Sequence, residues 1–229
     1  MFSDQLPTYI SVLFLLAFTI PVYMVSRLAQ KAQIKNGMKV VLGFYLVYLT
    51  VVALGSLSGF YTTVMLPPKI VVTTTLPFAA FLIFIYNTKS VKQANEVLKL
   101  EDLVGIHIFR LIGSIFLILL LHNLLPPVFA LIAGVGDVLT ALTSIFVVKA
   151  IEHKKSYAKR LTYIWNTFGL IDILTTAILA IVFTKISIDT GNIGVDILAE
   201  FPFCFVPAFA PPTIIFLHLL VYRKLSSLK

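Results

Sequence analysis

The stretch at Leu103–His122 reads LVGIHIFRLIGSIFLILLLH and is apolar apart from a few polar side chains. Its length is about what a helix needs to cross a bilayer. His107 and Arg110 are three residues apart, so a helix places them on one face. An arginine at the centre of such a span costs roughly 2.5 to 3.5 kcal/mol on insertion scales. Arg110 must therefore face protein, water or an opposite charge.

Two aspartates in other apolar runs are the candidate counter-charges for Arg110. Asp137 and Asp172 each lie near the middle of their run, and a rise of about 1.5 Å per residue puts both near the bilayer midplane. Small and polar residues recur around each aspartate at helical spacing: Gly134, Ala141 and Ser144 in one run, and Trp165, Gly169 and Thr176 in the other. The sequence therefore predicts three helices that turn polar faces toward a shared interior.

The composition of the chain is that of a polytopic membrane protein. Hydrophobic residues make up 59% of the sequence and charged residues only 12%. We predict an all-α integral membrane protein, a seven-helix bundle that forms a single polytopic domain over residues 1–229. The seven apolar runs are Tyr9–Val25, Val40–Phe60, Ile70–Tyr86, Leu103–His122, Val128–Ile151, Leu161–Phe183 and Phe201–Tyr222.

The basic residues predict the orientation of this bundle. Fifteen of the 18 Lys and Arg residues fall in the first, third and fifth connections and the C-terminal tail. The positive-inside rule then places the N-terminus outside and the C-terminus in the cytoplasm. Their position in short loops also argues that the net charge of +8 reflects topology and predicts no nucleic-acid partner.

The N-terminus carries no sign of a cleaved leader. Met1-Phe2-Ser3-Asp4-Gln5 lacks the basic segment of a secretory signal, so we expect the first run to be retained. We expect the protein to be integral to a bacterial-type plasma (inner) membrane. The predicted partners are membrane lipids and a small-molecule or ion ligand, and assembly into a homo-oligomer is left open.

The predicted substrate or ion site comprises Arg110, Asp137 and Asp172, flanked by His107, Trp165 and His218. Two carboxylates and one guanidinium leave one excess negative charge in a low-dielectric interior, which is unfavourable. A proton on one aspartate, a charged His107 or a bound cation would balance it. Such groups in membrane helices mark ion and proton pathways. The alternative is a structural ion pair that holds three helices in register.

The last run contains four prolines in its first half, namely Pro202, Pro207, Pro211 and Pro212. Proline removes a helical hydrogen bond, so we predict a kinked or broken helix, with Pro207, Pro211 and Pro212 forming a gate. Two connections are also distinctive. The polar residues 90–102 predict either a short surface helix or a solvated connection, and residues 185–200 predict an external loop that could act as a lid.

The sequence lacks the residues that several functional classes require. The last run has no intramembrane lysine for a retinal Schiff base, and no Walker loop, zinc motif or nucleophile elbow occurs. A single cysteine, Cys204, excludes an internal disulfide and a cysteine-based metal site, and no metal ligands are predicted.

We predict transport of a small solute or ion, coupled to protons. One alternative is a membrane-embedded enzyme or redox protein acting on a lipid or quinone, with His107 and His218 as haem ligands. Another is a ligand-binding sensor or assembly factor without turnover. The cofactor is left unspecified.

Overall fold

The computed structural model describes residues 6–228. Helices account for 81% of the structure, and no β-strand occurs in this range. The pentapeptide considered above as a possible leader, Met1 to Gln5, lies outside the described residues, as does Lys229. The prediction of an all-helical fold is therefore confirmed for the part of the chain that the structure describes.

Residues 6–228 form eight helices, apart from one short 3₁₀ turn. Their bounds are α1 Thr8–Lys31, α2 Gly37–Leu57, α3 Val71–Tyr86, α4 Lys89–Val97, α5 Leu100–Leu121, α6 Pro127–Glu152, α7 Ala158–Thr190 and α8 Phe205–Ser227. Six of them are long and apolar enough to cross a membrane, and the count is seven if the bent pair α3 and α4 is one span. These long apolar helices indicate a membrane-embedded protein.

The polar connection after α3 folds as the short helix α4, the first of its two predicted alternatives. Thr88 caps α4 by accepting a hydrogen bond from the Val91 amide at 3.4 Å. The helix is bent by 76° from α3, so it runs nearly crosswise to the bundle. Its residues Ala94 and Asn95 are buried against the bundle, and its other face is polar.

The connection between α7 and α8 is shorter than predicted. Helix α7 continues to Thr190, so the first residues of the expected loop are helical, and Lys185 and Asp189 form an exposed i,i+4 ion pair at 2.7 Å. Gly191 ends the helix with a positive φ of 72°, which glycine adopts readily. A short 3₁₀ turn follows at Asp196–Ala199.

For α8 the prediction was a kinked or broken helix, and the structure shows that the helix is not broken. It begins at Phe205, four residues later than predicted, and is continuous through Pro211 and Pro212. These prolines leave the carbonyls of Pro207 and Ala208 without their helical donors. Thr75 of α3 donates to the Pro207 carbonyl at 2.7 Å, and Tyr48 of α2 donates to the Ala208 carbonyl at 3.1 Å. Neighbouring hydroxyls thus replace the missing bonds and allow the helix to continue.

Side-chain bonds tie several helix ends together at one end of the bundle. Lys31 at the end of α1 pairs with Asp102 at the start of α5. Arg223 of α8 donates to the Tyr86 carbonyl at 2.7 Å, and Lys224 donates to the Glu96 carbonyl at 2.8 Å. Lys159 of α7 bonds the Leu228 carbonyl. We call this end, which carries most of the basic residues, the basic end.

Candidate functional site

Arg110 lies at the centre of the bundle, on an unusual segment of α5. Residues Ile106–Ser114 form a 3₁₀ helix between two α-helical turns. Side chains three residues apart superimpose in a 3₁₀ helix, so His107, Arg110 and Gly113 share one face. A 3₁₀ run of nine residues is long, since runs beyond three or four are uncommon. This face meets α6, α7 and α8.

The Arg110 guanidinium bonds groups from three other helices while only 1% of the residue is exposed. Nε donates to Asp137 Oδ1 of α6 at 2.7 Å, and Nη2 donates to Asp172 Oδ2 of α7 at 2.5 Å. Nη1 donates to the Gly169 carbonyl at 3.1 Å and lies 3.2 Å from His218 Nε2. Because charge-assisted bonds are the strong ones, this arginine cross-links the four helices α5 to α8.

The contacts of His218 define its tautomer. Arg110 Nη1 can only donate, so Nε2 of His218 accepts and Nδ1 carries the hydrogen of a neutral imidazole. Nδ1 lies 2.8 Å from Asn166 Oδ1, which is an acceptor, and Asn166 Nδ2 donates back to the His218 carbonyl at 3.1 Å. Asn166 therefore holds the histidine in the form that receives the arginine bond.

Three glycines bring the helices close enough for these contacts. A Cβ on Gly113 of α5 would overlap the Asp137 carboxylate, and a Cβ on Gly136 of α6 would overlap the Asp172 carboxylate. A Cβ on Gly169 of α7 would come within 2.7 Å of the His218 ring. Each helix thus places a glycine against a polar side chain of the next helix, which is the close approach that small residues permit.

His107 and Trp165 complete the site beside His218. The His107 ring lies with its centroid 4.2 Å from that of His218 and 5.2 Å from that of Trp165. Trp165 Nε1 donates to the Thr140 carbonyl at 3.1 Å. Both nitrogens of the fully buried His107 lack a hydrogen-bond partner among the described residues, as does Thr140 Oγ1. Such unpaired polar atoms cost free energy in a low-dielectric interior.

The space inside this cluster is small. A cavity of about 20 Å³ borders Arg110 and Asp137 and is otherwise lined by apolar side chains. That volume holds about one water molecule. The His107 and His218 rings pack directly on each other, so a porphyrin cannot lie between them, and His218 already uses both nitrogens. The geometry does not fit a haem held by this pair.

All six predicted site residues lie in one cluster, which we call the polar cluster: Arg110, Asp137, Asp172, His107, Trp165 and His218. The three predicted gate prolines take no part in the hydrogen bonds of this cluster, and the Pro207 carbonyl accepts a bond from Thr75 of α3 instead. Among residues 6–228, no group of His, Cys, Asp or Glu side chains has the arrangement of a metal site.

Sequence reasoning missed four residues of the site: Gly113, Gly136, Thr140 and Asn166. Gly113 follows Arg110 by one 3₁₀ turn, and Gly136 directly precedes Asp137, so each could have been found as a small residue beside a buried charge. Asn166 and Thr140 gave no comparable signal, because single polar residues in apolar helices also hydrogen-bond their own backbone.

A family model described as a domain of unknown function, DUF8737, matches residues 67–226, which is more than half of the chain. The matched range contains α3 to α7, all of α8 except Ser227, and so every residue of the polar cluster. No curated protein and no solved structure matches the chain.

Proposed function

The chain belongs to the DUF8737 family, and we propose that it is a membrane transporter that moves a small solute or ion and exchanges a proton at the polar cluster. The observation that carries this proposal is the charge balance around Arg110. One guanidinium lies between two carboxylates, and the histidine in direct contact with it is neutral. The fully ionised cluster therefore holds a net charge of −1 inside a largely apolar bundle, which favours the uptake of one positive charge.

Asp137 is the carboxylate that we assign to proton exchange. It borders the cavity of about 20 Å³, whereas Asp172 is held against Arg110 Nη2 at 2.5 Å. A proton carried by a single water fits this space, and a larger solute does not. Arg110 then stays paired with Asp172 while Asp137 alternates between a charged form, which leaves the cluster with a net charge of −1, and a protonated form, which brings the net charge to zero.

His107 is the group that we assign to proton transfer near Arg110. Its two unpartnered nitrogens can give or accept a proton without breaking an existing hydrogen bond. Its ring lies against His218, one 3₁₀ turn before Arg110 on α5. Trp165 packs edge-on against the same ring and limits its movement.

Two segments are suited to the movement that transport requires. The 3₁₀ segment of α5 carries Arg110 and has weaker backbone bonds than an α-helix, a feature often found at functional hinges. The first half of α8 lacks two internal hydrogen bonds at Pro211 and Pro212 and depends on hydroxyls of α2 and α3. We propose that this half, with Pro207, acts as the gate.

The orientation that goes with this proposal is a single domain with seven crossings, the N-terminus outside and the C-terminus in the cytoplasm of a bacterial-type plasma membrane. Labelling tests it, because the only native cysteine, Cys204, is fully buried. We expect an impermeant maleimide to label Asn192→Cys from outside intact cells. Tyr157→Cys, at the exposed start of α7, should react only after permeabilisation. The reverse pattern would overturn the orientation.

Proton exchange is tested on purified protein in weakly buffered detergent solution with a pH-sensitive dye. The added probes are sodium, potassium, chloride and phosphate ions, then mixtures of amino acids and of sugars. We expect one probe to cause proton release or uptake of about one proton per chain, and Asp137→Asn to abolish it.

Asp189→Asn is the matched control, because Asp189 belongs to an exposed ion pair away from the cluster. It should leave the proton signal unchanged. If no probe changes the pH while Asp137→Asn and Asp172→Asn only lower the free energy of unfolding, the cluster is a structural ion pair and the transport proposal is wrong.

A further inference from the structure

A second cavity lies at the basic end of the bundle, apart from the polar cluster. Its volume is about 370 Å³, within the range of roughly 300 to 1,000 Å³ that is usual for small-molecule sites. It is open on one side and bounded by α1, α2, α3, α4 and α8, and its walls are almost wholly aliphatic and aromatic. Representative lining residues are Leu28, Val40, Phe78, Val91, Asn95 and Leu220. Such walls suit a hydrocarbon chain.

Three residues of this lining carry polar side-chain groups, and the hydroxyls of two of them, Tyr45 and Thr213, bond each other at 3.1 Å, which leaves Asn95 of α4. The residue is 3% exposed, and its Oδ1 atom has no hydrogen-bond partner among the described residues. A buried acceptor without a donor costs about 1 to 3 kcal/mol, so a group that donates to it would bind favourably. A hydrocarbon chain alone offers no donor. The occupant therefore needs a hydroxyl or an N–H near one end.

Two exposed lysines are the sequence neighbours of residues that line the same cavity. Lys39 directly precedes Val40 and Lys92 directly follows Val91, and both valines line the cavity. Neither lysine takes part in an ion pair within residues 6–228, unlike Lys31, which pairs with Asp102. Because α4 runs crosswise to the bundle, it is placed to lie along a membrane surface, where anionic headgroups gather. The occupant therefore carries a negative charge as well.

We propose that this cavity binds one anionic phospholipid with a hydroxylated headgroup, of the phosphatidylglycerol type. An acyl chain fills the apolar cavity, the phosphate lies near Lys39 and Lys92, and a headgroup hydroxyl donates to Asn95 Oδ1. The site is independent of the transport proposal, since it shares no residue with the polar cluster.

Lipid retention measured by native mass spectrometry tests this assignment. Purified protein in detergent is titrated with phosphatidylglycerol, phosphatidic acid and phosphatidylcholine that have identical acyl chains. We expect the phosphatidylglycerol to bind best, then phosphatidic acid, then phosphatidylcholine. Lys39→Gln combined with Lys92→Gln should weaken binding of both anionic lipids roughly thirtyfold, given the usual contribution of a lysine near a charged membrane surface.

Asn95→Leu separates the hydroxyl contact from the charge. It should weaken the binding of phosphatidylglycerol about fivefold, which is the effect of one hydrogen bond, and leave the binding of phosphatidic acid unchanged. The matched control for the lysines is Lys154→Gln combined with Lys155→Gln, which removes the same charge from an exposed connection whose residues do not line the cavity. It should leave all three affinities unchanged.

Val41→Trp fills the cavity without touching a charge, and it should displace every lipid. Equal retention of phosphatidylcholine and phosphatidylglycerol by the unaltered protein would overturn the headgroup assignment. Equal weakening by the control lysines would show a general charge effect and would also overturn it. If Val41→Trp binds lipid as well as the unaltered protein does, the acyl chain does not occupy this cavity.

Discussion

Buried polar groups find their hydrogen-bond partners in two different ways in this bundle. One is seen in the polar cluster, and the other where α2 and α3 contact α8. In the polar cluster, full charges from α5, α6 and α7 bond one another, and glycines bring the backbones together. Along α8, neutral hydroxyls from α2 and α3 bond carbonyls that the prolines leave free. We call this second region the hydroxyl seam: Tyr45, Tyr48 and Thr75 with Pro207, Ala208 and Thr213.

The difference shows which contacts can be exchanged during a conformational change. Breaking one bond of the hydroxyl seam costs about 1 to 2 kcal/mol, because both groups of the bond are neutral. Separating the charges of the polar cluster costs several times more unless a proton or ion compensates. The cluster is therefore suited to couple movement to charge, and the seam is suited to let α2 and α3 shift along α8.

Removal of Arg110 should have the largest effect on stability. Arg110→Leu leaves two carboxylates buried without a cation, so we expect a loss of about 3 to 5 kcal/mol in the free energy of unfolding. Unfolding in mixed micelles with added sodium dodecyl sulfate measures it. Combining Arg110→Leu with Asp137→Asn and Asp172→Asn should recover much of the loss, because no unpaired charge remains. A triple variant as unstable as Arg110→Leu would show that packing, rather than charge, dominates the cluster.

A methyl group added between α6 and α7 should have the next largest effect on stability. In Gly136→Ala the added methyl group would overlap the Asp172 carboxylate, so the helices must separate or the ion pair must shift. We expect a loss of about 1 to 3 kcal/mol, as for other overpacked interiors. Gly43→Ala on α2 is the matched control, since nothing lies within 4 Å of its added Cβ.

The control should be neutral or stabilising, because alanine favours a helix over glycine by up to about 1 kcal/mol. Thermal unfolding of both variants in the same detergent gives the comparison. If the two variants shift the unfolding temperature alike, the close approach of Gly136 to Asp172 is not important for stability.

Loss of one hydroxyl from the seam should have a smaller effect. Thr75→Val keeps the shape of the side chain and removes the donor to the Pro207 carbonyl, and we expect a loss of about 1 to 2 kcal/mol. Thr73→Val is its control, because Thr73 is exposed and bonds the Lys69 carbonyl four residues earlier, not a carbonyl of α8. Hydrogen exchange should also report faster opening in the first half of α8 for Thr75→Val alone. Protection of α8 that is equal in both variants would contradict the role of the seam.

The sequence predicted the partners of Arg110 better than it predicted the shape of α8. A lone arginine in an apolar span needs an opposite charge beside it, and only Asp137 and Asp172 lie at a matching depth in other spans. The helices that contact Arg110 could therefore be predicted from charge alone. The prolines of α8 predicted a kinked or broken helix because proline removes helical hydrogen bonds. The replacement donors, Thr75 and Tyr48, are more than 130 residues away in sequence, so the local pattern does not indicate them. A tertiary bond of this kind leaves no periodic signal. The 3₁₀ segment of α5 was equally hidden, since its apolar pattern fits an α-helix too.

Loss of the ion pair between Lys31 and Asp102 should have the smallest effect on stability. Comparison of this exposed pair with the polar cluster shows how burial changes the strength of a charge contact. Like the polar cluster, the exposed pair joins a cation to a carboxylate, but the side chains are 47% and 21% exposed and water screens their charges. Asp102→Asn should therefore lower the free energy of unfolding by less than about 1 kcal/mol, and 0.5 M salt should lower it in the unaltered protein by a similar amount. Asp172→Asn, by contrast, changes a carboxylate whose partner is fully buried, so its effect should be larger and should hardly respond to salt. Equal salt sensitivity in the two variants would mean that water reaches Arg110 freely, and the charge balance that underlies proton exchange would then lose its physical basis.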